Sequence, residues 1–369
     1  MSFTAFDETM MREALRLASQ NIALARPNPS VGCVIVQGTR IVGAGATQAY
    51  GGPHAEQAAL QSADAQTRGA SVFVTLEPCS AVGASARQES CCASLINTGV
   101  AKIIIATLDA NPAVNGSGVA ALRAAGIEVQ TGLLEAEAQA HHIGFLTRMT
   151  RGTPWVRAKM AASLDGRTAL SNGVSQWITG EAARADGHAF RARACAVLAG
   201  SGTVMSDNPT LNVRHVATMK QPLRIVLDPR GKLHADLNIF KTASEEAPVL
   251  VVNSGRYSSK QAVFTPQVEV LSLPDTNGRI DLHALLRELG KRKVNELHLE
   301  AGARLTGAFL QVDCVDELLV YLAPTLFGPQ ANEMFTLPEL LEIPAAHKWK
   351  FFDLAMLGDD ARLRLKKVS

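Results

Sequence analysis

Aromatic residues make up only 5% of this 369-residue chain, and its net charge is +2 with no basic run. Single-stranded nucleic acids are gripped by stacking rings along a basic groove, so a nucleic-acid binder is disfavoured. No uninterrupted apolar stretch reaches the roughly 20 residues that a membrane-spanning helix needs. Nothing at the amino terminus reads as a signal peptide, because Asp7, Glu8, Arg12 and Glu13 stand among its apolar residues. Six unevenly spaced cysteines do not form the disulfide framework of a small secreted domain. Fixed-period repeats and low-complexity tracts are also absent. The expectation is a soluble cytoplasmic enzyme. With 47% apolar residues the chain can fill sizeable cores, and its length suggests about two domains.

Chemistry is concentrated in three short motifs of the first half: His54-Ala55-Glu56, Glu77-Pro78-Cys79 and the pair Cys91-Cys92. One imidazole and two thiolates hold Zn²⁺ and leave a fourth position for water, while a nearby glutamate that does not bind metal moves protons. Zinc lowers the pKa of such a water to about 7. Glu56 can then take a proton from the water and deliver it to departing ammonia, help worth roughly 10²–10⁴-fold in rate. A zinc-dependent deaminase needs these residue types in this order.

Periodicity places the motifs on elements. Met10, Met11, Ala14, Leu15, Leu17 and Ala18 recur at helical spacing over 7–20, with Asp7 or Thr9 as the cap. Strands are expected at 31–36, 41–46, 71–76, 102–107 and 127–130, and helices at 55–61, 91–97, 119–125 and 135–145. His54 and Glu56 thus fall in the first turn of a helix, at the positive end of its dipole. Arg148, Arg151, Gly152, Thr153 and Pro154 break the pattern, so the domain boundary is placed at about 146–154. Six strands follow, near 155–161, 195–199, 223–227, 248–252, 296–299 and 317–322. Both halves therefore read as α/β domains.

Other features have plainer readings. Cys33, Cys195 and Cys314 are small buried hydrophobes, and His141-His142 is structural or solvent-facing, since adjacent helical residues diverge. Gly200-Ser201-Gly202 lacks the third glycine of a dinucleotide fingerprint and reads as a turn after a strand. Gly302 after Glu300-Ala301 lets backbone approach a phosphate, and 303–308 starts a helix whose free N–H groups suit an anion.

Taken with Thr75-Leu76 ahead of Glu77-Pro78-Cys79 and with Ala162-Ser163-Leu164-Asp165-Gly166-Arg167-Thr168, these motifs resemble the bifunctional riboflavin-biosynthesis deaminase/reductase family. The likeness runs nearly end to end. It takes in Pro27-Asn28-Pro29, Val31-Gly32-Cys33, Asn111-Pro112 with Gly116 and Gly118, and Ser175-Gln176-Trp177-Ile178-Thr179. It continues through Asp207-Asn208-Pro209, Glu300-Ala301-Gly302 and Ala323-Pro324. The resemblance implies a cytidine-deaminase-like α/β/α domain over 1–146 and a dihydrofolate-reductase-like α/β domain over 147–369. It further implies zinc-dependent removal of the C2 amine of 2,5-diamino-6-ribosylamino-4(3H)-pyrimidinone 5′-phosphate. NADPH-dependent reduction of the ribosyl side chain of 5-amino-6-(5-phosphoribosylamino)uracil to ribityl would follow, in a homodimer joined through the reductase.

Carried across residue by residue, the resemblance makes His54, Cys79 and Cys91 the ligands of one Zn²⁺ and Glu56 the catalytic carboxylate. Cys91 is preferred to Cys92 because its distance to Gly99 matches the family spacing. NADPH would be met by Ala161, Trp177, Thr203 and Asp207, and by Gly302, Ala303, Arg304, Leu305, Thr306, Gly307 and Ala308. Ser175, Arg191, Leu211, Arg214 and Glu300 would line the substrate side, the arginines being suited to grip a phosphate bidentately. The chain departs from the family between its thiolates. Residues 81–90 are longer than usual and lack the family's histidines and prolines, and Arg87, the segment's only base, becomes the candidate phosphate contact. This departure motivates a rival reading, a paralogue acting on a pyrimidine-derived secondary metabolite. A nucleic-acid-editing deaminase and a reductase with a non-catalytic deaminase-like module are the other rivals.

Overall fold

The structure is a computed structural model describing residues 3–63, 66–80, 89–112, 114–255, 264–342 and 348–368. The chain divides into two compact units, Met1–Gly152 and Thr153–Ser369. Arg87 and the rest of 81–88 lie outside the described residues.

The first unit is built on five strands, β1 (Gly32–Gln37), β2 (Arg40–Ala46), β3 (Ser71–Val74), β4 (Lys102–Ile105) and β5 (Glu128–Thr131). Their order is β2-β1-β3-β4-β5, with β1 antiparallel to both neighbours and β3, β4 and β5 parallel. Helix α1 (Ala5–Gln20) is capped by Thr4, not by Asp7 or Thr9. Thr4 and Asp7 form a reciprocal capping box, Asp7 N donating to Thr4 Oγ1 (3.1 Å) and Thr4 N to Asp7 Oδ2 (2.9 Å), so Asp7 sits one turn inside. Met10, Met11 and Ala14 pack on Val34, Val36, Phe73 and Ile104. Only glycine fits at position 32, where a Cβ would stand 1.8 Å from the Ala14 carbonyl oxygen.

A short turn, α2 (Ile22–Ala25), follows. The opposite face of the sheet is covered by α3 (Ala55–Ser62), α4 (Cys91–Asn97) and α5 (Ser117–Ala124). The helix expected to end at Phe145 instead breaks at His142 into α6 (Glu135–His141) and α7 (Ile143–Arg151). Gly152, at φ 73°, ends α7 in the left-handed conformation that glycine tolerates best.

In the second unit the strands are β6 (Trp155–Ser163), β7 (Arg167–Ala169), β8 (Ala196–Gly200), β9 (Leu223–Leu227), β10 (Val249–Asn253), β11 (Val268–Ser272), β12 (Glu296–Leu299), β13 (Glu317–Ala323), β14 (Asn332–Glu333), β15 (Trp349–Leu357) and β16 (Asp360–Lys367). Nine of them form one sheet in the order β11-β10-β9-β8-β12-β6-β13-β16-β15. Pairing is parallel from β11 to β13, and the terminal hairpin β15–β16 adds antiparallel. Helices α8 (Glu181–Arg193), α9 (Ser201–Asp207) and α10 (Asn238–Lys241) lie on one face. Helices α11 (Leu282–Lys291) and α12 (Ala303–Gln311) cover the other, over a core of Leu285, Leu289, Leu297, Leu299 and Phe309.

Under α8 the interior is charged. Arg157 of β6, 1% exposed, lies 2.9 Å from Glu296 and 3.0 Å from Glu317, while Arg193 bonds Glu296 (2.6 Å) and Arg364 bonds Glu317 (2.8 Å). The Phe190 ring of α8 receives Arg157 and Arg364 at 5.0 and 4.9 Å. Burial alone would raise both carboxyls. The charges of Arg193 and Arg157 on Glu296, and of Arg157 and Arg364 on Glu317, outweigh it and bring both down to about 2. Carboxyls lowered in the fold stabilise it above their unfolded pKa, and that contribution fades as pH falls toward about 2. Arg157→Met leaves two buried carboxylates without their shared cation and should cost roughly 3–5 kcal/mol at pH 7. The penalty should shrink as pH is lowered to about 3, where the carboxyls of the variant, each left with a single arginine, begin to protonate, in urea-unfolding titrations of variant and parent across that range.

Candidate active sites

In the first unit, three segments distant in sequence converge. His54 is the residue before α3, with its backbone N–H bonded to Gln57 Oε1 (3.2 Å). Gly45 of β2 lets that helix lie directly on the sheet, since a Cβ there would be 2.5 Å from Ala59 N. Cys79 ends the segment leaving β3, and Cys91 opens α4, whose cap Ser90 accepts from Ala93 N (3.2 Å). Cys91 Sγ lies 3.3 Å and Cys79 Sγ 3.8 Å from His54 Nδ1, and the Cys91 backbone N–H points at Cys79 Sγ (3.4 Å). The three ligand atoms fall within 4.8 Å of one another. Such spacings suit the edges of a tetrahedron with bonds of about 2.0–2.3 Å, and one nitrogen with two sulfurs is a zinc donor set. Cys92 Sγ turns away, toward the carbonyls of Pro78 (3.4 Å) and Gly118 (3.7 Å).

The electrostatics fit that reading. A hydrogen bond from the Cys91 thiol, with His54 adding to it, brings Cys79 down to about 4 against the opposing effect of burial. Cys91 is pushed up in turn. Glu56, 3% exposed in the first turn of α3, has its carboxyl raised by burial. A carboxyl of raised pKa beside the ligands is suited to carry a proton both ways.

One organising residue was read only as part of a motif. Glu77 is buried and its carboxylate accepts four backbone N–H groups: Asp109 (3.2 Å), Gly116 (3.0 Å), Gly118 (2.9 Å) and Val119 (3.1 Å). It thereby holds the Asn111-Pro112 loop and the start of α5 against the Cys79 segment. Gly118 permits this approach, because a Cβ would be 2.2 Å from the Pro78 carbonyl oxygen. Behind it, Thr75 Oγ1 accepts from Gly32 N (3.1 Å) and meets His142 Nε2 (3.1 Å), while His141 Nε2 lies 2.8 Å from Ser30 O. The two histidines are structural, and His142 is buried.

In the second unit a cleft of about 1760 Å³ opens at the carboxyl ends of β6, β8, β9 and β12, where open parallel sheets bind ligands. Ala161, Trp177, Thr203 and Asp207 line it, as do Gly302, Ala303, Arg304, Leu305 and Ala308. Ser175, Arg191, Arg214 and Glu300 line it as well. Three expected residues do not. Leu211 is buried in the core with Val197 and Phe240. Thr306 is buried with its hydroxyl on Ala301 O (3.2 Å), and Gly307 faces away, where a Cβ would meet the Thr336 carbonyl oxygen at 2.0 Å. Successive helical residues cannot all face one ligand.

Arg191 is also not free to grip a phosphate. Its Nε and Nη2 donate to Glu300 (2.6 and 2.7 Å) and its Nη1 to Asn212 O (2.6 Å), so it fixes Glu300 instead. Arg214 is exposed. Trp177 is 66% exposed, with the Arg184 guanidinium 4.6 Å from its ring centroid, so it is no core aromatic. Gly200-Ser201-Gly202, expected as a plain turn, caps and begins α9 and lines the cleft. Among the lining residues that escaped the sequence reading are Lys159 and His188. Burial lowers Lys159 despite Glu300 nearby, and burial and then Arg191 lower His188 to about 3. Lys159 was recoverable, because strand alternation puts it on the same face of β6 as Ala161.

Comparison with known proteins bears on both units. Residues 4–107 match the cytidine and deoxycytidylate deaminase zinc-binding region, and 154–363 match the RibD C-terminal domain. Riboflavin biosynthesis protein RibD of Escherichia coli (strain K12) is 40% identical, covering 97% of this chain and 99% of its own. The chain belongs to the RibD family. A solved structure of Acinetobacter baumannii RibD superposes with a TM-score of 0.87 at 38% identity, covering 99% of both chains. A diaminohydroxyphosphoribosylaminopyrimidine deaminase/5-amino-6-(5-phosphoribosylamino)uracil reductase of Thermotoga maritima gives 0.87 at 32% identity over 98% of this chain and 99% of that one. The RibD architecture, a cytidine-deaminase-like zinc domain followed by a dihydrofolate-reductase-like domain, is therefore the architecture of this chain. Its cofactors are zinc and NADPH.

Purified Cys91→Ser should lose most of its zinc, while Cys92→Ser should retain close to one equivalent, by elemental analysis of both proteins. The reverse ranking would move the third ligand to Cys92.

Proposed function

We infer that this chain carries out both reactions of the riboflavin-pathway enzyme. They are hydrolytic deamination of 2,5-diamino-6-ribosylamino-4(3H)-pyrimidinone 5′-phosphate and NADPH-dependent reduction of the resulting 5-amino-6-(5-phosphoribosylamino)uracil to its ribityl form. The observation that carries the reading is the His54–Cys79–Cys91 triangle with Glu56 buried beside it. Zinc, when bound by those three residues, supplies the Lewis acidity that makes a water molecule acidic near neutral pH. Glu56 takes a proton from the attacking water at its carboxylate and passes it to the C2 amine, which leaves as ammonia. Glu77 keeps Asp109 and the start of α5 in place beside the Cys79 segment.

For the second reaction, NADPH supplies the hydride, and the protein's part is to orient and enclose. The amino end of α12 at Gly302 and the Gly200–Thr203 start of α9 bring backbone within reach of phosphate oxygens. Gly202 has open space where a Cβ would stand. Trp177, stacked on Arg184, gives the nicotinamide side an apolar shelf. Glu300, fixed by Arg191, accepts hydrogen bonds from sugar hydroxyls, while the exposed Arg214 meets the substrate phosphate.

Cytoplasmic location and homodimerisation belong to the same proposal. No helix among the described residues is long and apolar enough to cross a membrane, and all six cysteines are free thiols. β15 is an edge strand carrying Phe351, Phe352, Leu354 and Met356 in the open, the last two 64% and 68% exposed. An apolar edge of this kind is what a second copy would cover.

Two experiments test these readings. Glu56→Ala should abolish ammonia release from the diaminopyrimidine phosphate while leaving NADPH consumption with the already deaminated compound within about twofold, since general acid–base help is worth roughly 10²–10⁴-fold. Reduction lost in parallel would contradict the division of labour. Separately, a Leu354→Lys/Met356→Lys pair should shift the protein from dimer to monomer in sedimentation velocity, and an unaltered dimer would place the interface elsewhere.

A further inference from the structure

Strand β12 alternates Glu296-Leu297-His298-Leu299-Glu300, and its polar side chains all point to the face beneath α8. His298 is fully buried between the two acids. Its Nδ1 has no hydrogen-bond partner among the described residues, and its Nε2 stands 3.3 Å from Glu300 Oε1, bent away from full hydrogen-bond geometry. Burial, outweighing the attraction of Glu300, lowers the pKa of this imidazole. A carboxylate oxygen can only accept, so the ring nitrogen that faces Glu300 is the one that carries a proton, Nε2. An aliphatic side chain here would pack against the strands of Arg157 and Val197 without leaving a polar nitrogen orphaned. The imidazole is therefore explained by what its other nitrogen does.

Glu300 is held in its own plane by the fork of Arg191 and faces the cleft. His298, two residues back on the same face of the sheet, stands as a second donor beside Oε1 of that carboxylate. Bent contacts in a ligand-free site commonly tighten once substrate is seated.

We propose that His298 is a positioning residue of the reductase. Its Nε2–H, directed at Glu300 Oε1, fixes the Glu300 carboxylate in the orientation that receives the ribosyl hydroxyls of the substrate. This rests on the reading of Glu300 as a substrate contact, and the experiment separates the two.

His298→Leu, His298→Gln and Glu300→Gln are compared in the full-length enzyme. Reductase kinetics are measured with 5-amino-6-(5-phosphoribosylamino)uracil, and NADPH affinity by fluorescence titration. His298→Leu should lower reductase kcat/KM about tenfold, the scale of one hydrogen bond to a charged group. Most of that change should appear in KM, with NADPH affinity unchanged within about twofold. His298→Gln, whose amide places a donor near the same point, should recover to within about threefold of the parent. Parental kcat/KM in His298→Leu together with a loss in Glu300→Gln would overturn the proposal alone. No loss in Glu300→Gln would overturn the reading beneath it, and the proposal with it. NADPH affinity falling in step with kcat/KM, without rescue by glutamine, would make His298 a packing residue and also overturn the proposal. If His298→Leu does not fold, His298→Gln decides: a tenfold loss in a protein that binds NADPH normally overturns the proposal, and near-parental kinetics support it.

Discussion

The approach of Cys91 Sγ to 3.3 Å from His54 Nδ1 is the contact around which the first unit is organised. Three donors from residues 54, 79 and 91 must meet within a few ångströms, and no local structure brings them there. Two helix starts and one strand exit do so. Each is immobilised by a different device: a lateral bond from Gln57 at His54, the four-fold backbone grip of Glu77 beside Cys79, and the Ser90 cap at Cys91. Loss of any one would leave the remaining ligands correctly placed but unable to close the set.

Glu77 illustrates how such precision is reached with few residues. A carboxylate that accepts four N–H bonds while buried is satisfied only in one arrangement of its donors. Asp109 and the turn from Gly116 to Val119 are consequently held by one side chain two residues from Cys79. Gly118 and Gly32 serve the same end sterically, since neither position has room for a Cβ. The glycines of these motifs are thus packing requirements as much as turns.

What was legible in the sequence was local. His54-Ala55-Glu56, Pro78-Cys79 and Cys91 lie at element boundaries that periodicity and capping rules locate, and their chemistry follows from residue type. The six strands expected after residue 154 are all present, near their expected bounds. The hairpin β15–β16 was not read, because Arg362-Leu363-Arg364-Leu365 carries charge on alternate residues and resembles a solvated tail. The alternation of acids and leucines at 296–300 has the pattern of a strand with one wet face, yet α8 covers that face and the acids are paired with Arg157, Arg191 and Arg193 from elsewhere in the chain. Whether an alternating polar face meets water or a helix is a tertiary matter.

The reductase cleft then divides its charges in a way that bears on how both ligands lie. Glu300 is already neutralised by Arg191, with Lys159 nearby, so the middle of the cleft offers a fixed dipole and little net charge. Arg230, Lys232, Arg279 and Arg304 line the same cleft and make no ion pair among the described residues. Exposed cations meet a phosphate at small cost, whereas breaking the Arg191–Glu300 fork would strand a buried carboxylate. Under the proposed function, the phosphate-bearing ends of substrate and cofactor would lie at the rim, on residues such as Arg214 and Arg304. The sugar carbon and the nicotinamide would then meet at the centre, beside Glu300 and Trp177, where the Arg191 fork has already neutralised the carboxylate.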